Sequence, residues 1–199
     1  MKFNIAKTGG VKAELVFEDR LDTEFVKALA EKEVFSGKAE EVYFSMNEKF
    51  ECNLLIGLGK EENIEFDMLR KTFFKVAEVL LKNKVAEVEL NIPKLNNLCN
   101  YKLAEAIAEG MLHATYKFDK FKSEKKETPE LIVNYNPIPG KEHRAEKGID
   151  EAKKLIESIF LTRDLVNQPA NVIYPETLAD ITKERLEAKG VKVTVYGKK

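Results

Sequence analysis

The chain has 199 residues, with 33 lysines and arginines against 34 aspartates and glutamates, for a formal net charge of −1. That balance leaves no global field to draw it to nucleic acid or to a lipid surface, and no apolar run approaches the ~20 residues that a membrane-spanning helix needs. Cys52 and Cys99 are too few and too far apart for a disulfide framework, and Met1-Lys2-Phe3-Asn4-Ile5-Ala6 has no signal-peptide core, which together fit a cytoplasmic protein with no membrane partner.

Val11, Ala13, Leu15 and Phe17 alternate with polar residues and predict a strand. Asp22 is placed to cap a short helix carrying Phe25, Val26 and Leu29. Val42 to Met46 predicts a second strand. Cys52 to Leu58 is a strongly apolar run of strand length, expected inside a sheet with Cys52 buried. Phe66, Leu69, Phe73, Val76 and Leu80 recur at helical spacing. Val85 to Ile92 predicts a strand stopped by Pro93, Leu103 to Leu112 a helix, and Leu131 to Tyr135 a further strand. Strands alternating with helices imply an α/β layered domain with a parallel or mixed sheet and helices on both faces.

Asn136-Pro137-Ile138-Pro139-Gly140 is stiff and marks the boundary, giving a domain at 1–136, a linker at 137–144 and a second segment at 145–199. Ile149, Ala152, Leu155, Ile156, Ile159, Phe160 and Arg163 predict a helix with one apolar face. Gln168 precedes Pro169, which ends that helix. Asn167 and Asn171 suit the turn that follows, and Pro175-Glu176 suits the first turn of a new helix. Leu178, Ile181, Thr182 and Leu186 give it an expected buried stripe, Gly190 its end, and Val191, Val193 and Val195 a last strand. This helix–turn–helix–strand tail has too few elements to bury its own apolar faces, so it must pack on the first domain, a second copy or further sequence.

Candidate sites weigh little on their own. Gly57-Leu58-Gly59-Lys60 leaves a strand but lacks the wider glycine spacing and the Ser or Thr of a phosphate loop, and Glu61 and Glu62 follow at once. Tyr116 to Lys126 interleaves aromatic residues with lysines, a pattern able to stack bases. An amphipathic strand with Tyr116 and Phe118 inward explains it better. His113 and His143 have no metal-ligand spacing. Arg163 and Asp164 suit a buried pair that orients the turn.

The segments Leu55 to Lys60, Ala108 to Gly110 with Tyr116 to Ser123, and Arg163-Asp164-Leu165-Val166-Asn167-Gln168-Pro169-Ala170-Asn171 occur in the order found in the leucyl (cytosol) aminopeptidase family, which the chain resembles beyond about Leu54. Phe121 replaces a usual Tyr, and Tyr174 stands where a Thr usually caps a helix, a loss of ~1 kcal/mol of capping. The resemblance implies a macro-domain-like first domain, followed by the opening of a second, truncated peptidase domain. It implies a hexamer, peptide substrates, and a site with two divalent metal ions, zinc or manganese, that generate hydroxide and release N-terminal residues. The family's ligand-bearing segments do not occur here, so no catalytic and no metal-binding residue carries over to 1–199. Arg163, Asp164, Asn167, Pro169 and Asn171 carry over as a structural turn only, and the fragment itself is expected to be inactive and to serve folding and assembly. A non-catalytic macro-like module binding a nucleotide or DNA is the alternative.

Overall fold

The computed structural model describes residues 1–49, 51–95, 98–124 and 129–197. They form two compact units, Met1–Ile156 and Glu157–Lys199. In the first, the strands are β1 (Lys2–Ile5), β2 (Val11–Val16), β3 (Val42–Met46), β4 (Cys52–Gly57), β5 (Glu87–Asn91) and β6 (Ile132–Asn136). They make one sheet in the order β1-β6-β5-β2-β4-β3. Every neighbouring pair is parallel except β3 with β4. The helices are α1 (Glu24–Glu31), α2 (Phe66–Lys82), α3 (Asn100–His113), α4 (Glu142–Asn167) and α5 (Pro175–Glu187). The compact unit runs through the expected linker 137–144 to Ile156, because Ala145, Ile149 and Ala152 of α4 are buried in its core.

Alternation along the strands sorts the side chains between two cores. Ala13, Leu54, Ile56, Val88, Leu90, Val133 and Tyr135 point to one face and pack with α2, α3 and the start of α4. Val16 and Leu55 point to the other face and meet Val26 and Leu29 of α1. Helices therefore cover both faces, as the pattern predicted. The α1 cap is Thr23, whose Oγ1 accepts from the Val26 N–H at 3.2 Å. Asp22, the expected cap, lies one residue too early and instead pairs with Arg20 at 3.3 Å.

Two glycines set the spacing of the helical layer. A Cβ on Gly110 of α3 would lie 2.3 Å from the Arg70 carbonyl oxygen of α2, and one on Gly148 of α4 would lie 2.2 Å from the Tyr101 carbonyl oxygen of α3. Beside Gly110, the buried Glu109 carboxylate accepts from Arg70 Nε, and Arg70 also reaches Asp67 at 2.7 Å. Arg70 is 37% exposed, so water screens part of this attraction. Glu109→Gln is expected to cost about 1–2 kcal/mol, read as a lower urea midpoint with an unchanged slope; an unaltered midpoint would show that the pair contributes nothing.

The first strand escaped the sequence reading, and its connection is unusual. β1 and β2 are parallel and separated by β6 and β5, yet residues 6–10 alone join them. Parallel crossovers ordinarily take a dozen or more residues, usually with a helix. Here a helix-free strap reaches across the sheet. The Gly9 N–H donates to Glu89 Oε2 at 3.0 Å, and the Gly9 carbonyl accepts from Asn134 Nδ2 at 3.1 Å. Asn134 also accepts from Asn4 at 3.0 Å and donates to Glu87 at 2.7 Å. Asn4, Asn134, Glu89 and Lys12 fall in register across β1, β6, β5 and β2. The strap thus explains polar residues on a parallel sheet: their side chains bond the half-buried Gly9 backbone groups where the strap lies on the strands.

In the second unit, the remainder of α4 leads through a turn to α5 and an extended end. No residue of α5 is buried, and Leu178 and Leu186 are each 41% exposed. The expected buried stripe is therefore absent from this unit, since too little apolar surface is present to cover it. Gly190, with φ +79°, ends α5. Val191 N bonds the Leu186 carbonyl at 3.0 Å, and Gly190 N bonds that of Glu187 at 2.9 Å, a Schellman pair. Residues 191–197 form no strand, contrary to expectation. Their alternating valines have the pattern but no partner strand among the described residues, and a ladder needs one.

Candidate functional site

The first place to look is the carboxyl end of β4. Gly57 N donates to the Glu41 carbonyl at 2.8 Å, Leu58 N to that of Val16 at 2.9 Å, and Gly59 N to that of Gly37 at 2.8 Å. The Glu18 N–H closes onto the Gly59 carbonyl at 2.9 Å. Gly59 has φ +69°, a conformation that glycine adopts freely. A Cβ on Gly57 would sit 2.1 Å from the Lys38 carbonyl oxygen. The glycines therefore serve close packing of the chain on itself, and the turn reading of Gly57 to Lys60 holds. Glu61 continues the same surface, accepting from Arg20 Nη1 at 3.1 Å.

The second place is the turn after α4. Arg163, Asp164 and Asn167 lie in the last turns of that helix, and Pro169 and Asn171 in the turn itself. Arg163, Asn167, Pro169 and Asn171 are exposed and Asp164 is half-buried within this unit. The Pro169 carbonyl accepts from Val172 N at 2.9 Å and Ile173 N at 3.1 Å, which closes the turn. Tyr174 is the N-cap of α5 and Pro175 its first residue. Thr177 supplies the missing cap function from inside the helix: its Oγ1 accepts from Tyr174 N at 3.0 Å.

The remaining candidates separate. Tyr116 to Glu124 is a loop rather than the expected strand, although Tyr116 and Phe118 are half-buried and Lys117, Lys120 and Lys122 exposed. Phe118 and Phe121 meet edge to face at 5.8 Å, which is local packing in place of a ladder. Lys125 and Lys126 fall outside the described residues. His113 is the last residue of α3, and His143 sits in the first turn of α4 facing Glu146 at 3.9 Å. Cys52 is half-buried and Cys99 exposed. Sequence reasoning passed over Cys99: it is the N-cap of α3, and the Tyr101 and Lys102 backbone N–H groups hold its thiol below the usual range. Its place just before a helical run was the available signal. Among the described residues no group of three or more His, Cys, Asp or Glu side chains is arranged to hold a metal ion, and no helix is long and apolar enough to cross a membrane.

The sequence model of the cytosol aminopeptidase family N-terminal domain matches residues 8–125. The chain belongs to the cytosol aminopeptidase family. The match covers β2 to α3, which supply most of both cores. A probable cytosol aminopeptidase of Treponema denticola is 72% identical over all of this chain, which covers 42% of that protein. One from Clostridium tetani is 38% identical, again over all of this chain and 42% of the relative. The chain thus spans about 42% of the length of the curated cytosol aminopeptidases it matches. A solved tomato leucine aminopeptidase mutant superposes over 96% of this chain and 43% of its own, with a TM-score of 0.75 at 18% identity. The bottromycin maturation enzyme BotP gives 0.72 at 20% identity, over 93% of this chain and 38% of its own. At such identities these two structures establish the shared fold alone.

Proposed function

We propose that this chain is the N-terminal part of a leucyl aminopeptidase, a two-metal exopeptidase that releases N-terminal amino acids from peptides in the cytoplasm. The observation that carries the proposal is the family match over 8–125 together with 72% identity to one relative along the whole chain. In this reading 1–136 is the macro-like domain, 137–144 the linker, and 145–199 the opening segment of the peptidase domain. Arg163, Asp164, Asn167, Pro169 and Asn171 orient the turn through which the chain enters that second domain, consistent with the Pro169 carbonyl that closes it. The exposed apolar residues of α5, together with the exposed Val191 and Val195, are then surfaces for the rest of the peptidase domain to cover.

The two divalent ions, zinc or manganese, belong to that larger protein. The described residues do not fit them: no cluster of three potential ligands is present. No step of peptide hydrolysis is therefore assigned to a residue of this chain, whose own part is folding and assembly, in the hexamer expected of the family.

Activity is the direct test. Purified 1–199 is expected to give no turnover of leucine p-nitroanilide with added manganese or zinc, while a polypeptide extended to the relatives' length turns it over. Metal-dependent hydrolysis by 1–199 alone, or none by the extended protein, would overturn the reading.

A further inference from the structure

In open α/β sheets, ligands bind outside the carboxyl ends of strands where adjacent connections leave toward opposite faces. That point here lies at β2 and β4. The chain leaves β2 for α1 on one face, and leaves β4 for α2 on the other. Backbone N–H groups at such an edge form the usual seat for an anion. In this protein the seat is taken by its own loop. From Phe35, buried with α1, residues 36–41 run over the end of β4 to the Glu40 N–H, which donates to Thr72 Oγ1 of α2 at 3.3 Å. On the way the Gly37 carbonyl accepts from Gly59 N at 2.8 Å, while the Glu41 carbonyl accepts from Gly57 N as the next rung of the antiparallel β3–β4 ladder.

The loop is held in a demanding shape. Gly37 has φ +78° and Glu40, which is not a glycine, φ +67°. The Glu41 carboxylate compensates by gathering the loop's donors. Its Oε2 accepts from Ser36 N at 2.8 Å and Lys38 N at 3.2 Å, and the Ser36 hydroxyl lies within 3.3 Å of both oxygens. Lys75 of α2 anchors Glu40 at 2.9 Å. Glu40, Glu41, Glu61 and Glu62 also make this edge unwelcoming to a phosphate.

We propose that Ser36–Glu41 is the built-in occupant of the β2–β4 crevice, its Gly37 carbonyl oxygen taking the Gly59 amide that an anionic ligand would use, with Glu41 as the residue that locks it in place. The crevice where an open α/β sheet ordinarily seats a ligand is used here to hold the domain together. This goes beyond the peptidase reading and does not depend on it.

Amide spectra and hydrogen exchange of the whole 1–199 chain test it, with inorganic pyrophosphate and ADP as probes. The expected result is that millimolar probe leaves the Gly57 and Gly59 resonances unmoved. Glu41→Ala is expected to speed exchange at Gly57 and Gly59 at least tenfold while Val88 and Val133 keep their protection. Glu41→Gln, which retains one acceptor oxygen, is expected to fall between. A probe-induced shift at Gly57 or Gly59 in the unaltered protein overturns the proposal, as does unchanged exchange in Glu41→Ala. If Glu41→Ala does not fold, Glu41→Gln decides: faster exchange confined to Gly57 and Gly59 supports the lock, and wild-type exchange there refutes it.

Discussion

Gly110→Ala is expected to destabilise the first compact unit by about 2–3 kcal/mol, although alanine is the better helix former. In an open helix the change would gain ~1 kcal/mol. Here the new methyl meets the Arg70 carbonyl oxygen at 2.3 Å. That oxygen belongs to the backbone of α2, so no side-chain rotation relieves the contact and the helices must separate. Separation loosens Leu69, Phe73, Val76, Leu103 and Ile107, all nearly inaccessible to solvent. Overpacking a rigid core costs about 1–3 kcal/mol and occasionally more, and the backbone obstacle puts this site in the upper part of that range. The melting temperature is expected to fall by roughly 5–10 °C for a chain of this size. Thermal and urea unfolding of the variant read the effect. Equal or greater stability would mean that α2 and α3 are not in contact at this glycine. Glu109 is the neighbouring residue, so the Gly110 and Glu109 variants share one interface and their effects should not add.

The second large effect is expected at the strap. Asn134→Leu keeps much of the volume but removes the amide that serves Gly9, Glu87 and Asn4 together. Asn134 is 1% exposed, and a buried group stripped of its partner costs about 1–3 kcal/mol; with Asn4 and Glu87 able to turn toward water, a total of about 2–3 kcal/mol is expected. The effect should be local first. Amide exchange at Gly9 and Gly10 should rise before that of Val88 or Val133, and uniform loss across the sheet would refute the strap as a separate unit.

The same strap gives the protein an acid limit. Glu89 is held below the ordinary carboxylate range, first by the Asn91 side-chain amide and then by the Gly9 N–H. A carboxyl favoured in its charged form when folded contributes stability above its unfolded pKa and loses it as pH falls through the folded value. Strap opening should therefore increase on acidification below the ordinary carboxylate range, and Glu89→Gln should remove that part of the pH dependence.

Much of the architecture was legible in the sequence because it rests on local periodicity. Val11 to Phe17, Val42 to Met46 and Cys52 to Leu58 were recognisable as strands, and Phe66 to Leu80 and Leu103 to Leu112 as helices. Gly190 announced a helix end because its backbone freedom is a local property. Arg163 to Asn171 carried family information through residue identity, without chemistry of its own. Lys2 to Ile5 was not legible: four residues at a sheet edge have no periodicity to read, and β6 makes them a strand. Val191, Val193 and Val195 failed the opposite way, with a strand's pattern and no partner strand among the described residues. Asn134 and Glu89 read as ordinary polar positions until the strap came to lie on them.

The sequence by itself determined the α/β class, the helices that cover the sheet, the turn after α4 and the family, because each depends on neighbours along the chain or on residue identity. Tertiary structure alone decided the strand order, the strap across β6 and β5, the glycine contacts between helices and the loop that fills the β2–β4 crevice. Those features join residues tens of positions apart, and spacing along a chain carries no record of which distant backbone groups will need a hydrogen-bond partner or leave no room for a methyl group.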